Sequence, residues 1–479
     1  MRQRLIEAPL PGWTDPADAF ASLLGDSERA IWLDSGVHAV TGMSYLASGS
    51  RLVTAAVPDG TVTVDGVQER GTILDFLRRE LPSARVGEGA GFRLGWVGWL
   101  GYELRSQTMG TPVTHESAVP DASLLFVDRA IAFDHDSRTM SVLALGEGWL
   151  GELGEWRRTV SRRLAERAGR GSAAAVTAPT GDAPRVTWAY GDDEYLAMIR
   201  ECQVSIAAGD AYQLCLTTEA VVEARPDPLA TYLALRRSSP THHGALYIAD
   251  GIALLSASPE LFLSVSPDGV VESRPIKGTR ARGATADEDA ALATELEESD
   301  KERAENLMIV DLMRNDIARV SEVGSVSVPS LLAVESYAHV HQLVSTVRGR
   351  LAAGRTGIDA VEACFPAGSM TGAPKLSAVT ILERLENRAR GVYSGAFGYF
   401  GLDGRIDLAM VIRSILIDRD RTTVGAGGGI TALSVPEEEL DEVRLKAAAL
   451  LAVLGAPSLP PSPSPDPGPD PGPSEIHAI

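Results

Sequence analysis

From Val186 to Gly455, strand-like and helix-like stretches follow one another without the strand–helix–strand alternation that builds a parallel sheet. Residues 193–208 carry Tyr195, Ile199, Cys202 and Ile206 at helical spacing, whereas 212–220 and 245–257 read as strands. Residues 299–318 form a second helical stretch, 391–402 and 407–418 pair as a hairpin, and 436–454 close the region as a helix. Hairpins mixed with helices predict an α+β fold with large antiparallel sheets.

The first 167 residues form a separate region in this reading. Strands are expected at 51–57, 61–67, 131–134 and 140–145, and helices at 75–81 and 149–167. Between them, Phe92-Arg-Leu-Gly-Trp-Val-Gly-Trp-Leu-Gly-Tyr102 interleaves glycines with aromatics. That pattern suits a buried strand with close backbone packing. No GxGxxG opens a helix, so a Rossmann unit has no support. Residues 168–185 are small, polar and broken by Pro and Gly, which predicts a linker or surface loop, and 186–455 are expected to be the catalytic region. The prolines of 456–479 are too frequent for packed structure, so a disordered tail is expected there.

Charge and cysteine usage narrow the function classes. With 44 Lys+Arg against 64 Asp+Glu, the chain cannot neutralise a long polyanion, although a few bases in one pocket can still take a small anion. Cys202, Cys215 and Cys364 are far apart and in no CxxC pattern, which excludes a disulfide framework and a thiolate metal site. With no apolar signal core and no apolar run long enough for a bilayer, a soluble cytoplasmic protein is expected.

Several segments could carry chemistry. Glu302 and Glu305 lie three apart on one helical face, and Glu439 and Glu442 repeat that spacing after Ser434, the expected N-cap. Taken singly, such acids serve the helix dipole or face water. If the two helices face each other, four carboxylates offer hard oxygen ligands suited to Mg²⁺ rather than zinc. Lys277, between Pro-Ile and Gly-Thr, is awkwardly placed for a solvated residue. Burial would lower its pKa and free the amine as nucleophile or base, while the alternative is a basic loop gripping an anion. Gly425-Ala-Gly-Gly-Gly-Ile430 is expected as a turn whose N–H groups form an anion nest, or simply as a flexible turn. Ser369 and Thr371 sit in a small-residue loop without Walker A spacing. Arg413, placed inside an apolar strand at 408–417, needs a buried anion, which a substrate carboxylate would satisfy.

These segments, namely PIKGTRARG, the acidic helix ending in VDLMRNDIARV, FPAGSMTGAPK, YSGAFGYF, AMVIRSI, GAGGGI and PEEELDEVRLKA, occur in the order found in chorismate-utilising enzymes. From residue 186 to about 454 the chain resembles that family; IWLDSG and GWVGWLGYE extend the likeness more loosely into the first region. The resemblance implies the chorismate-binding fold, a sandwich of large antiparallel sheets with helices packed outside. Within the family, Lys277 resembles the aminodeoxychorismate synthase branch, since anthranilate synthases have alanine there.

The same resemblance implies roles for individual residues. Lys277 would attack C2 of chorismate as the 4-hydroxyl departs, with Glu260 as general acid, and ammonia would then add at C4 and expel the lysine. Glu302, Glu305, Glu439 and Glu442 resemble the Mg²⁺ shell. Tyr393, Arg413, Gly428, Gly429 and Lys446, with Ser369, match contacts to substrate carboxylates. Arg314 and Arg319 match family arginines that support the site, although salt bridging to acidic helices fits them equally. Gln342 stands where anthranilate synthases use a histidine around pyruvate elimination, so the product should keep its enolpyruvyl group, whereas His339 and His341 read as structural. No glutaminase nucleophile motif occurs, so a separate amidotransferase subunit is expected to supply ammonia on the way to 4-aminobenzoate and folate. Trp32–Ser35 and Asp210–Leu214 resemble the relatives' buried tryptophan pocket. Competing readings are anthranilate formation or another amination or isomerisation of chorismate and, in a different class, a non-catalytic subunit that binds an aromatic metabolite.

Overall fold

The computed structural model describes residues 4–37, 39–81, 89–167, 183–337 and 340–457. The linker expected at 168–185 lies almost wholly outside these residues, as do His339 and nearly all of the expected tail.

Two large antiparallel sheets dominate the described residues, accompanied by eleven α-helices. The first runs in spatial order Arg4–Leu10, Thr139–Gly146, Arg129–Asp134, Met43–Ala47, Ala30–Asp34, His243–Ala249, Ile252–Ser258, Ser414–Ile417, Thr422–Ile430, Gln213–Val222 and Val186–Trp188. The second runs Ile276–Ala281, Val340–Arg350, Val270–Ser273, Leu261–Val265, Ile406–Met410, Ala396–Gly401, Gly95–Leu100, Ala122–Val127, Arg51–Ala56, Thr61–Val64 and Val67–Arg70. Each sheet therefore takes strands from both ends of the chain, joined at Ala30–Asp34 with His243–Ala249 and at Gly95–Leu100 with Ala396–Gly401.

Side-chain alternation explains the layering. Trp99 and Val97 point between the sheets, with Tyr247, Phe397 and Tyr45, while Trp96 on the opposite face packs with Phe76, Ile309 and Met313 beneath helices. Trp32 does the same for the first sheet, facing Phe20 and the helical Ile199 and Leu450. Both faces of both sheets are covered, which is the expected sandwich with outer helices. The Gly/aromatic stretch forms the wholly buried strand Gly95–Leu100, and a Cβ on Gly98 would lie 1.9 Å from the Ser123 carbonyl oxygen, so only glycine lets these strands approach.

Two expected strands are hairpins. Residues 245–257 divide into His243–Ala249 and Ile252–Ser258 around Asp250-Gly251, and 61–67 turn at Asp65-Gly66; all four turn residues have positive φ. The Asp-Gly pair is the turn chemistry that apolar periodicity alone overlooks.

Candidate active site

Two strands switch from one sheet to the other side by side, and the site forms at that crossing. The chain leaves Ile252–Ser258 in the first sheet and enters Leu261–Val265 in the second, placing Pro259 and Glu260 at the switch. Returning, it leaves Ile406–Met410 in the second sheet for Ser414–Ile417 in the first, placing Ile412 and Arg413 there. The two switches are tied by Met410 N–H to the Glu260 carbonyl at 3.0 Å and Ala257 N–H to the Arg413 carbonyl at 3.1 Å. Arg413 is thus in a break between strands rather than inside a central strand, with φ of 50° in the left-handed region. Among the described residues no carboxylate pairs with its guanidinium, which reaches the Lys446 carbonyl at 3.3 Å. Burial without a counter-ion pulls that guanidinium below its ordinary pKa.

Beside the crossing, Gly425–Ile430 is neither nest nor turn. It belongs to the strand Thr422–Ile430, paired residue for residue with Leu214–Val222, and none of its glycines has a positive φ. The glycines make a floor without side chains. A Cβ on Gly425 would lie 2.2 Å from the Tyr393 ring, on Gly428 3.2 Å from Glu439 Oε2, and on Gly429 2.4 Å from Gln213 Nε2 and 3.4 Å from Lys277 Nζ. Gln213, which the sequence reading assigned elsewhere, is 1% exposed, and its Oε1 has no partner among the described residues.

The two acidic helices form the opposite wall. Ser299 caps Asp300–Ala318 through the Glu302 N–H, and Glu305 lies one turn on, nearly buried. In Pro436–Val453 the N-cap is Val435, not Ser434. The Ser434 hydroxyl instead accepts from Thr431 N–H and donates to Glu439 Oε1 at 2.7 Å, steering that carboxylate inward. Glu302, Glu305, Glu439 and Glu442 line one cavity of about 400 Å³ together with Lys277, Glu260, Tyr393, Arg413, Gly428, Gly429, Lys446 and Ser369. The catalytic, substrate-contact and metal candidates of the sequence reading therefore lie in one place, Gln342 with them, and Lys301 and Cys215 join the lining. A volume of that order suits a small-molecule ligand. Arg314 and Arg319 stay outside: one pairs with Asp311 at 3.2 Å and the other donates to the Ala363 carbonyl. His341 is bound between Ser336 and Asp289 at 2.8 and 2.9 Å, a structural position.

Electrostatics differ from the sequence expectation at Lys277. Burial does oppose its charge, but Glu305 at 3.4 Å, with Cys215 and Glu260 beyond, outweighs it, so its pKa rises and the group stays an ammonium. Glu260 goes the other way. Burial pushes its carboxyl up to about 7, against the opposing pull of Lys277 and Ser369, so at neutral pH it holds a proton about half the time. Glu302 and Glu439 are also raised, by burial first and then by neighbouring carboxylates.

An all-oxygen donor set of mutually repelling carboxylates fits a hard divalent cation such as Mg²⁺. Among the described residues no three metal-ligating side chains converge on one point. Each carboxylate is instead turned to a base: Arg280 at 3.6 Å for Glu302, Lys277 for Glu305, Lys301 at 3.6 Å for Glu439 and Lys446 at 2.7 Å for Glu442.

The tryptophan-pocket segments lie on strands of the same sheet that are not neighbours, although Trp32, Ala211 and Leu214 belong to one buried cluster. Four strands of the first sheet stand between Ala30–Asp34 and Gln213–Val222. Among the described residues no helix is long and apolar enough to cross a membrane.

The sequence matches the model of chorismate binding enzymes over residues 29–452. It is 44% identical over 467 residues to a Streptomyces griseus protein named aminodeoxychorismate synthase, covering 95% of this chain and 64% of that relative. The chain thus spans less than two thirds of that protein's length. It is 37% identical to the Haloarcula marismortui protein named anthranilate synthase component 1 2, covering 92% and 82% of the two chains. Among solved structures, anthranilate synthase component I from Streptococcus pneumoniae superposes with a TM-score of 0.74 at 27% identity, covering 93% of this chain and 99% of that one.

Proposed function

The chain belongs to the family of chorismate binding enzymes, and from that premise we propose that it converts chorismate and ammonia to 4-amino-4-deoxychorismate, a precursor of 4-aminobenzoate. The observation that carries the reading is Lys277: an amine in the cavity, 15% exposed, within reach of Glu305 and across from Glu260. The Streptomyces relative's name agrees with it.

The steps follow from the side chains. Arg413, free of any carboxylate, takes a substrate carboxylate, and the glycine strand lets the ring lie flat against backbone. Attack requires the neutral amine, so the Lys277 ammonium first passes its proton to the Glu305 carboxylate at 3.4 Å and takes it back once the amine is released. Lys277 Nζ then bonds to ring C2, the diene electrons shift, and the 4-hydroxyl leaves as water with the proton of Glu260. Ammonia adds at C4, the electrons shift back, and the C2–N bond breaks to return the lysine amine. The new C4 ammonium passes a proton to the Glu260 carboxylate, restoring the acid. Tethering the first nucleophile replaces a bimolecular encounter with an intramolecular one. Glu302, Glu305, Glu439 and Glu442 would hold Mg²⁺, whose charge would neutralise the ring carboxylate. Gln342, unable to take up a proton as histidine does, favours retention of the enolpyruvyl group.

Ammonia comes from a glutamine amidotransferase partner in this reading. All three cysteines are buried, and burial pushes the Cys202 and Cys364 thiols up to about 12, far from a reactive thiolate. The test is turnover of chorismate with Mg²⁺ and high ammonium by wild type and Lys277→Ala, with intact-protein mass to detect the adduct. Aminodeoxychorismate from wild type, and at least a hundredfold loss in the variant, are expected; anthranilate fluorescence would favour the second reading, supported by the Haloarcula likeness. Binding of chorismate without turnover would favour a non-catalytic subunit.

A further inference from the structure

Three of the four bases that neutralise the glutamates have other engagements. Arg280 is gripped by Glu295 through two bonds of 2.9 Å, Lys277 is the amine of the proposed chemistry, and Lys446 also donates to the Gly427 carbonyl at 2.9 Å. Lys301 differs. Its side chain is 52% exposed, and among the described residues its ammonium meets only Glu439, whose own side chain is 4% exposed. All four carboxylates act on it electrostatically. It sits in the first turn of Asp300–Ala318, next to Glu302, on the cavity rim.

A nearly buried carboxylate left without a cation is costly. The chain without a metal therefore needs a positive charge at Glu439, and a chain with one does not. Lysine suits a replaceable charge, because its ammonium is compact, strongly hydrated and carried on a flexible stem, so its return to water costs little.

We propose that Lys301 is a built-in counter-ion of the four-glutamate site: its ammonium holds Glu439 while no divalent cation is bound and swings into solvent when one arrives, so that this residue sets how tightly the site takes the cation. The inference rests on the magnesium reading of the same cavity and adds to it the competitor that the cation must displace.

The experiment uses the full chain, stripped with chelator, and Mn²⁺ as the probe, followed by electron paramagnetic resonance of the free ion and by thermal melting. Lys301→Met keeps the length and removes the charge. It should bind Mn²⁺ about tenfold more tightly, the factor that ~1.4 kcal/mol of relieved competition gives. Its chelator-treated form should melt below wild type, and saturating Mn²⁺ should abolish that deficit. Lys301→Arg, which keeps the charge, should bind within about twofold of wild type, because the same competitor remains. Lys301→Gln serves the same comparison should the methionine variant aggregate. Binding no tighter than wild type in the neutral variants overturns the inference while leaving the magnesium reading intact. Failure of wild type itself to bind Mn²⁺ overturns both.

Discussion

Replacing Glu260 by glutamine should make the protein more stable in alkaline solution and nearly inactive at once. The side chain is 8% exposed at the crossing between sheets, and burial lifts its carboxyl from 4.5 to about 7. A lift of that size disfavours the charged form by about 3 kcal/mol. Between those two pH values the folded chain holds a proton that the unfolded chain has lost. The contribution to stability is therefore complete below about pH 4.5 and is lost as pH rises through 7. Glu260→Gln, neutral at every pH, should match wild type in urea unfolding near pH 4 and exceed it by up to about 3 kcal/mol near pH 8. The attraction of Lys277 for the ionised form is already contained in that lift. The same variant loses the acid that lets the hydroxyl leave, which typically costs about 10²–10⁴ in rate. Ammonium-dependent turnover of wild type should fall as pH passes about 7, as the acid ionises. A stability difference that is equal at both pH values, or negative near pH 8, would show an ionised Glu260 held by Lys277 and refute the assignment of the acid.

Two further perturbations read other parts of the site. Gly429→Ala places a methyl 2.4 Å from Gln213 Nε2 and 3.4 Å from Lys277 Nζ, and should cut turnover about a hundredfold or more, as small misplacements of reacting groups do, with an unchanged far-UV circular dichroism spectrum. Glu386→Gln leaves the fully buried Arg390 guanidinium without its counter-charge and with an acceptor for only one of its two bonds of 2.7 and 2.8 Å, and chemical denaturation should record a loss of about 3–5 kcal/mol.

What could be read from residues alone depended on whether the signal was local. The i,i+3 glutamates of both helices are visible as periodicity, and their helices form at the expected places. That the two pairs face one cavity is a tertiary fact; only the resemblance to a family suggested it. Gly425–Ile430 was misread because three glycines locally favour a turn, whereas a twelve-stranded sheet and the Tyr393 ring override that preference. Arg413 was misread for the opposite reason: the apolar run around it continues across a change of sheet, and nothing in the spacing marks the break at a left-handed residue. Lys277 was expected to lose its proton because burial was legible and its counter-ion Glu305, 28 residues later in the chain, was not. Gln213 was read with the tryptophan pocket and Lys301 was given no role; what each touches places both.

The seams at Ala30–Asp34 with His243–Ala249 and at Gly95–Leu100 with Ala396–Gly401 bear on how such a chain is made. More than two hundred residues must leave the ribosome before either early strand can find the neighbour that completes its ladder. Until then the nascent polypeptide shows open β-edges, the surfaces on which intermolecular association begins, and its maturation is expected to be slow and to reward chaperone shelter.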